Sequence, residues 1–236
     1  MYEIPYRHRT PNRKSVHGHF RRPFGKYTAL VGEVTWASNH LNSWLLAILE
    51  IIMSPADTKR TLIHPEYPMA RELWHSLRSD DAQRAAVRAV AKHCTKLNSR
   101  QKVSLLWAID AAGRLNEFRN DAIHTAFALY YLHPQIQTSP IQPDRRAGHP
   151  KRVEKLERVG YAKLFRALIG DLNQLSGYVT AIYLGTKKFD HPVPSALPRR
   201  PVLRSVLLVQ KAPPAKNSPT RRPPIRKPRR RPSPAK

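Results

Sequence analysis

The chain has 236 residues, of which 41% are hydrophobic, and a formal net charge of +26. This length is sufficient for one sizeable core, and the charge attracts polyanions such as RNA, DNA, acidic proteins or anionic lipid surfaces without distinguishing among them. The single cysteine, Cys94, excludes an intramolecular disulfide framework and a zinc site built from several cysteines, which favours a reducing, cytoplasmic environment.

The first 26 residues differ in composition from the body of the chain. They carry seven basic residues and one acid, Glu3, together with three prolines and two glycines. Such a segment buries too little apolar surface to offset the entropy of ordering, so we predict a flexible basic arm over residues 1–26. The arm lacks the apolar stretch that a secretory signal requires.

A strong helical periodicity follows the arm. Apolar residues recur at three- and four-residue steps between Leu30 and Ile52, which predicts a helix over residues 27–53 that ends at Ser54-Pro55. The longest apolar run, residues 41–53, has the length of a buried helix and contains Glu50. We therefore predict no membrane span.

Three further helices are predicted before residue 138. A short one covers residues 66–77, because Pro68 is tolerated in a first turn. Ser79 is expected to cap the second, whose first turn carries two aspartates that suit the positive helix start. Its inner side is predicted from Ala86, Val90 and Leu97. Ser99 is expected to cap the third, which extends to about residue 131.

The remainder of the chain contains one more predicted helix and a basic tail. Residues 138–150 read as an exposed loop, and residues 151–184 read as a long helix. Residues 191–236 contain 13 basic residues and no acid, and 12 of the 22 prolines lie at or after Pro192. This composition predicts a disordered tail, within which the apolar residues 202–209 could dock on the body as a short strand or helix.

Four long helices, one short helix and no convincing strand predict an all-α, up-and-down helical bundle over residues 27–190. Most apolar helical positions, including the four tryptophans, are expected in its core. Cys94 is expected to be buried as a small apolar residue.

The segment best suited to a chemical function is residues 117–124, Glu-Phe-Arg-Asn-Asp-Ala-Ile-His, in the helix predicted to begin near Ser99. At about 3.6 residues per turn, Asn120 and His124 are about 40° apart on one face, whereas Arg119 is about 140° from His124 and must reach around the helix. A guanidinium, an amide and an imidazole placed together can bind a phosphate and transfer a proton. Arg88 and His93 have the same Arg-x4-His spacing, but an alanine follows Arg88, so we interpret this second match as coincidental.

The pattern Arg119-Asn120-x3-His124 in a long apolar helix resembles the signature of the HEPN superfamily, helical-bundle proteins that include metal-independent ribonucleases. The resemblance covers the helical body, roughly residues 27–186. It implies that Arg119 neutralises a phosphate, that His124 moves a proton to or from the RNA, and that Asn120 orients His124 or holds the phosphate. It also implies a homodimer without cofactor or metal, and it is compatible with an antitoxin-type protein partner. The residue after the histidine is often glycine in the family, whereas here it is Thr125.

Two functions remain open on the sequence. The first is an RNA-acting, HEPN-like protein with a metal-independent endoribonuclease site. The second is a non-catalytic helical interaction protein that binds nucleic acid or a partner through its Pro/Arg-rich tail. Other candidate residues are weaker: His17 and His19 lack a neighbouring carboxylate for a metal site, and Glu33 could pair with Arg119 but is expected to face solvent.

Overall fold

The computed structural model describes residues 18–54, 68–125, 127–129, 141–186 and 197–212. In these ranges the chain is almost entirely helical, which confirms the all-α class. The helices are α1 (Gly18–Met53), α2 (Pro68–Ser76), α3 (Asp80–His93), α4 (Ser99–His124), α5 (Pro150–Val159), α6 (Tyr161–Thr186) and α7 (Arg204–Lys211). Two short strands, β1 (Phe127–Leu129) and β2 (Ile141–Pro143), pair antiparallel.

Three helices, α1, α3 and α6, run in one direction, and α4 runs in the opposite one. α1 and α6 run parallel, because Tyr27 contacts Tyr161 at one end and Trp44 contacts Tyr183 at the other. α4 runs antiparallel to α6, since the side chain of Gln101 at its start donates to a carbonyl oxygen at Gly185, near the end of α6. α3 in turn runs antiparallel to α4. The short α2 connects α1 to α3.

One hydrophobic core joins these helices, and it matches the predicted inner faces of three of them. Most apolar positions of α1, α4 and α6, which were expected in the core, are buried from Leu30 to Ile52, from Leu105 to Ala122 and from Leu164 to Ile182, although Trp44 is half-buried. Cys94 is buried, as predicted, and its thiol donates weakly to the carbonyl oxygen of Ile52. The inner face of α3 is different from the prediction. Its buried residues are Arg84, Val87 and Ala91, whereas Ala86 and Val90 are half-buried; Leu97, beyond the end of α3, is buried as predicted.

Several predicted helix ends are wrong. α1 begins at Gly18, nine residues before the predicted start, so residues 18–26 belong to a helix and not to an arm. The cap of α4 is Asn98, not Ser99: its side chain accepts the Gln101 N–H and the Gln101 side chain accepts the Asn98 N–H, at 2.8 and 2.9 Å. α4 ends at His124, about seven residues before the predicted end.

The predicted loop over residues 138–150 and the predicted single helix after it are also corrected. Ile141 is buried and starts β2, and Pro150 is the first residue of α5. α5 and α6 are separate helices because Gly160 breaks the pattern with a φ of +83°, a conformation that favours glycine.

The apolar island within the predicted tail does dock on the bundle. It forms α7, in which Leu203 and Ser205 are buried. Asp171 of α6, 1% exposed, accepts hydrogen bonds from the backbone N–H groups of Arg204 and Ser205 and from the Ser205 hydroxyl, at 2.6 to 2.9 Å. Residues 197–212 are therefore part of the folded body, although the tail was predicted to begin at residue 191. No helix in the described part of the chain is both long and apolar enough to cross a bilayer.

Candidate functional site

Arg119 lies where the last third of α4 passes the start of α3. Its guanidinium Nη1 donates to Asn120 Oδ1 at 3.1 Å and lies 3.9 Å from a carboxylate oxygen of Asp80. The same carboxylate accepts from the Asn116 amide at 3.2 Å, and the Asn116 oxygen accepts from Arg84 at 3.2 Å. The Arg119 side chain is three-quarters buried. The start of α3 thus fixes the guanidinium and partly neutralises its charge.

Asn120 and His124 occupy successive turns of α4, and both reach solvent. Asn120 is half-buried and His124 is exposed. The Asn120 side-chain oxygen accepts from Arg119. The Asn120 NH2 group has no acceptor among the described residues. The structure therefore brings Arg119 to Asn120, but within the described residues no hydrogen bond or ion pair joins either of them to His124.

Asp121, between the two halves of the motif, has a structural role that sequence reasoning missed. It is 3% exposed and pairs with Arg152 at 3.3 Å and with Lys155, both on α5. Lys155 also lies 4.9 Å from the centre of the Phe118 ring. The signal in the sequence was a carboxylate beside apolar core positions, which requires a cationic partner if it is buried. This ion-pair cluster anchors α5 to α4.

Two buried polar atoms near the motif have no hydrogen-bond partner in the described part of the chain: Nε of Arg119 and Oγ1 of Thr125. An unsatisfied buried donor or acceptor costs about 1 to 3 kcal/mol. The same is true of Nε of Arg158 on α5 and Oγ of Ser176 on α6, so the missing partners are not confined to the motif.

The other sequence candidates have different surroundings. Arg88 of the second Arg-x4-His match pairs with Asp110 of α4, and His93 is exposed at the end of α3. Glu33 is exposed, as expected, and Asp80 takes the position beside Arg119. Among the described residues no group of three or more histidine, cysteine, aspartate or glutamate side chains could hold a metal. His17 lies outside them.

The prediction that all four tryptophans lie in the core is wrong for Trp36, which is 65% exposed. Its ring stacks on His40, with centroids 5.3 Å apart, and His40 Nε2 accepts a hydrogen bond from the Trp44 indole N–H at 3.1 Å. Trp74 is buried, and Trp44 and Trp107 pack against the core. Trp36 lies about 140° around α1 from the centre of the buried face, so its exposure follows from the helical period.

The comparisons with known proteins give no relative. No protein-family model matches the chain, and neither does any curated protein sequence or solved structure. The resemblance to the HEPN superfamily therefore depends on the motif and the all-α bundle alone.

Proposed function

We propose that this protein is an RNA-acting, HEPN-like helical bundle in which Arg119, Asn120 and His124 form one half of a ribonuclease site. The observation that supports the proposal best is the position of the half-buried Asn120 and the exposed His124 on consecutive turns, with the Arg119 guanidinium bonded to Asn120. These three groups supply a cation, a free amide donor and an imidazole beside one another.

Each group has a distinct part in the proposed reaction. The NH2 group of Asn120 donates to a non-bridging phosphate oxygen. Arg119 stabilises the negative charge that develops on the phosphate oxygens in the transition state. His124 accepts the proton of the 2′-hydroxyl, whose oxygen attacks the adjacent phosphorus while the 5′-oxygen leaves. Imidazole suits this step because it changes its charge near neutral pH. No cofactor enters the proposed reaction.

A second copy of the chain completes the proposed site. One helix supplies one exposed imidazole, whereas cleavage needs a base for the 2′-hydroxyl and an acid for the leaving oxygen. Two α4 helices that pair around a two-fold axis would supply both. We expect a sedimentation mass of about twice the 27.1 kDa chain mass. A strictly monomeric protein at micromolar concentration would contradict the paired site.

Replacement of His124 by alanine tests the proposal directly. We expect loss of cleavage of a single-stranded RNA with an unchanged melting temperature, because His124 is exposed and contributes little to stability. Cleavage should persist in the presence of a chelator. His93→Ala is the matched control, since His93 is an exposed histidine with the same Arg-x4-His spacing. Retained cleavage in His124→Ala, or equal loss in His93→Ala, would remove the proposed mechanism.

A second candidate function, non-catalytic RNA or partner binding, is favoured by one observation. Asp80 lies beside Arg119 and Asp121 is buried in ion pairs, so two motif positions are engaged in packing α3 and α5. In that case the wild-type protein binds RNA without cleaving it, and His124→Ala leaves the affinity unchanged. Binding with no cleavage product in the wild type would select this function.

A further inference from the structure

A surface pocket of about 440 Å³ lies between the start of α4, Tyr178 on α6, and residues 197–200. This volume is within the range of small-molecule sites in proteins. The pocket is far from the HEPN-like motif, because the 20 residues from Ser99 to Arg119 extend about 30 Å along one helix. Its function is therefore independent of the proposed ribonuclease site.

The polar part of the pocket favours an anion. Arg100 and Arg200 line it, and none of its lining residues is acidic. Arg200 lies over the Trp107 ring, 5.3 Å from its centre, which restricts the orientation of the guanidinium. The first N–H groups of α4, at Ser99 and Arg100, have no acceptor within the helix, because the Asn98 side chain accepts from Gln101 instead.

Ser104 provides independent support for a ligand at this position. It lines the pocket and is 6% exposed, yet its hydroxyl makes no hydrogen bond with any described residue. Its oxygen is not one of the buried polar atoms that lack a partner among the described residues, so solvent in the pocket reaches it and a ligand oxygen can replace that solvent. Ser104 is therefore a pre-placed donor for a ligand oxygen that reaches the floor of the pocket.

The remaining walls are apolar and require an organic group on the anion. Val103 is exposed at 56%, and Leu197 and Pro198 face it across the pocket from the C-terminal extension. An inorganic ion would leave this surface in contact with water. A ligand with a phosphate and an organic body that carries a flat ring, whose face packs on these apolar side chains while its polar edges stay in water, satisfies both halves of the pocket.

We infer that this pocket binds a phosphate monoester of a nucleoside, with the phosphate held by Arg100, Arg200 and Ser104 and the nucleoside against Val103, Leu197 and Pro198. Such a group occurs in a free nucleotide and at the phosphorylated end of an RNA chain. The pocket walls depend on α7, since the docking of Leu203 and Ser205 holds residues 197–200 against the bundle.

The test measures binding of adenosine 5′-monophosphate to the full chain at physiological salt, by titration calorimetry. We expect Arg200→Ala to weaken binding about tenfold or more, because a charged hydrogen bond to phosphate contributes at least 1.4 kcal/mol, or about a factor of ten. Arg199→Ala removes the same charge from the adjacent exposed position outside the pocket, and it should change affinity by less than about twofold. Ser104→Ala should weaken binding about fivefold.

Further ligands separate the phosphate from the nucleoside and a free nucleotide from an RNA end. Adenosine alone and inorganic phosphate alone should each bind more weakly than the nucleotide. If the RNA end is the natural ligand, a 5′-phosphorylated tetranucleotide binds more tightly than its 5′-hydroxyl form, and Arg200→Ala abolishes the difference. If the free nucleotide is the natural ligand, Arg200→Ala changes the affinity for adenosine 5′-monophosphate only.

Two results would overturn the inference: equal loss of affinity in Arg199→Ala and Arg200→Ala, which would indicate unspecific attraction to a basic surface, or no binding of adenosine 5′-monophosphate at millimolar concentration. His124→Ala should leave nucleotide binding unchanged, so failure of the ribonuclease proposal and failure of this site are distinguishable.

Discussion

At the residue scale, the two aspartates of α4 differ sharply in environment and provide a matched test of the ion-pair cluster. Asp121 is 3% exposed and has two cationic partners, whereas Asp110 has a side chain 60% exposed and one cationic partner, Arg88, among the described residues. Asp121→Asn removes the carboxylate from two partly buried cations, so we expect a loss of about 2 kcal/mol in the free energy of unfolding. Asp110→Asn should cost less than about 1 kcal/mol.

Urea denaturation monitored by circular dichroism measures both changes. Equal losses in the two variants would show that the Asp121 cluster is no stronger than a surface ion pair. A loss confined to Asp121→Asn would also show that the HEPN-like motif carries a structural residue within it. The ribonuclease proposal would then depend on Arg119, Asn120 and His124 alone.

Residue burial was predictable where one helix face is uniformly apolar and less so where a polar side chain lies on that face. The periodicity of α1 and α4 identified their buried residues, because a wide apolar stripe has one orientation that buries it. Arg84 of α3 is buried instead of Ala86, since its guanidinium reaches Asp81 and Asn116 and is satisfied there. Asp81 belongs to α3 itself, but Asn116 belongs to α4, and a sequence pattern within one helix does not contain that second partner.

At the element scale, the break between α5 and α6 gives a second matched pair of substitutions. Gly160 has a φ of +83°, a backbone angle that residues with a side chain rarely adopt. Gly170 lies within α6, and there is open space where a Cβ would be added. Gly160→Ala should destabilise the fold by about 1 to 2 kcal/mol. Gly170→Ala should stabilise it by about 0.5 to 1 kcal/mol, because alanine loses less entropy in a helix.

Thermal or urea unfolding of the two variants gives the sign of each change. A stabilising effect of Gly160→Ala would mean that α5 and α6 can join as one helix, as the sequence periodicity alone predicts. The helical pattern continues through Gly160 in sequence. The break therefore reflects the backbone conformation at one residue.

A cluster of aromatic rings joins α1, β1 and α6 and makes the stability of this junction depend on pH. Burial, with a further contribution from the Tyr161 phenol, raises the pKa of Tyr27 from 10.0 to about 12. The folded state therefore favours the neutral phenol. The associated stability is fully present below pH 10 and is lost as the pH rises from about 10 to 12.

Tyr27→Phe removes this titration and isolates its contribution. We expect the difference in unfolding free energy between the wild type and Tyr27→Phe to be constant up to about pH 9.5 and to change in favour of the variant above pH 10. Urea denaturation at a series of pH values measures the difference, in which the other titrating groups largely cancel. A constant difference up to pH 12 would show that the Tyr27 phenol is equally hydrated in the folded and unfolded states.

The existence of a helix was easier to predict than the residues at which it begins and ends, because the ends depend on local hydrogen bonds. Asn98 and Ser99 are both good capping residues, and the choice of Asn98 follows from its reciprocal bonds with Gln101. The chain beyond His124 continues the apolar pattern but pairs as β1 with β2, which contains Pro143. A three-residue strand is too short to show the alternation that identifies strands in a sequence.

At the scale of the whole molecule, the bundle was predictable, whereas the docking of its C-terminal extension was only one of two possibilities that the sequence left open. The three long helices α1, α4 and α6 contain their own apolar faces, so their number and packing follow from the sequence. The docking of α7 depends on Asp171, which lies 33 and 34 residues before the N–H groups it accepts. The basic, proline-rich composition around α7 predicted disorder, and the buried carboxylate that holds α7 is visible only in three dimensions.

Two truncations separate the folded extension from the basic sequence beyond it. Removal of residues 197–236 takes away α7 and leaves the buried Asp171 carboxylate without its three donors, so the free energy of unfolding should fall by at least about 2 kcal/mol. Removal of residues 213–236 alone retains α7 and should leave the melting temperature nearly unchanged. Equal stability of the two shortened proteins would contradict the docking of α7.

The shorter truncation also tests how the protein attracts RNA. Residues 213–236 carry nine of the basic residues and no acid. Contacts between such charges and phosphates act through release of counterions, so each one lost lowers the slope of log affinity against log salt by about 0.7 for single strands. We expect weaker RNA binding with a flatter salt dependence, measured by fluorescence anisotropy at several salt concentrations, while cleavage at saturating RNA concentration stays intact because Arg119, Asn120 and His124 are retained. An unchanged salt slope would assign the RNA contacts to the bundle. Loss of cleavage at saturation would instead make this segment part of the reaction and contradict a site confined to α4.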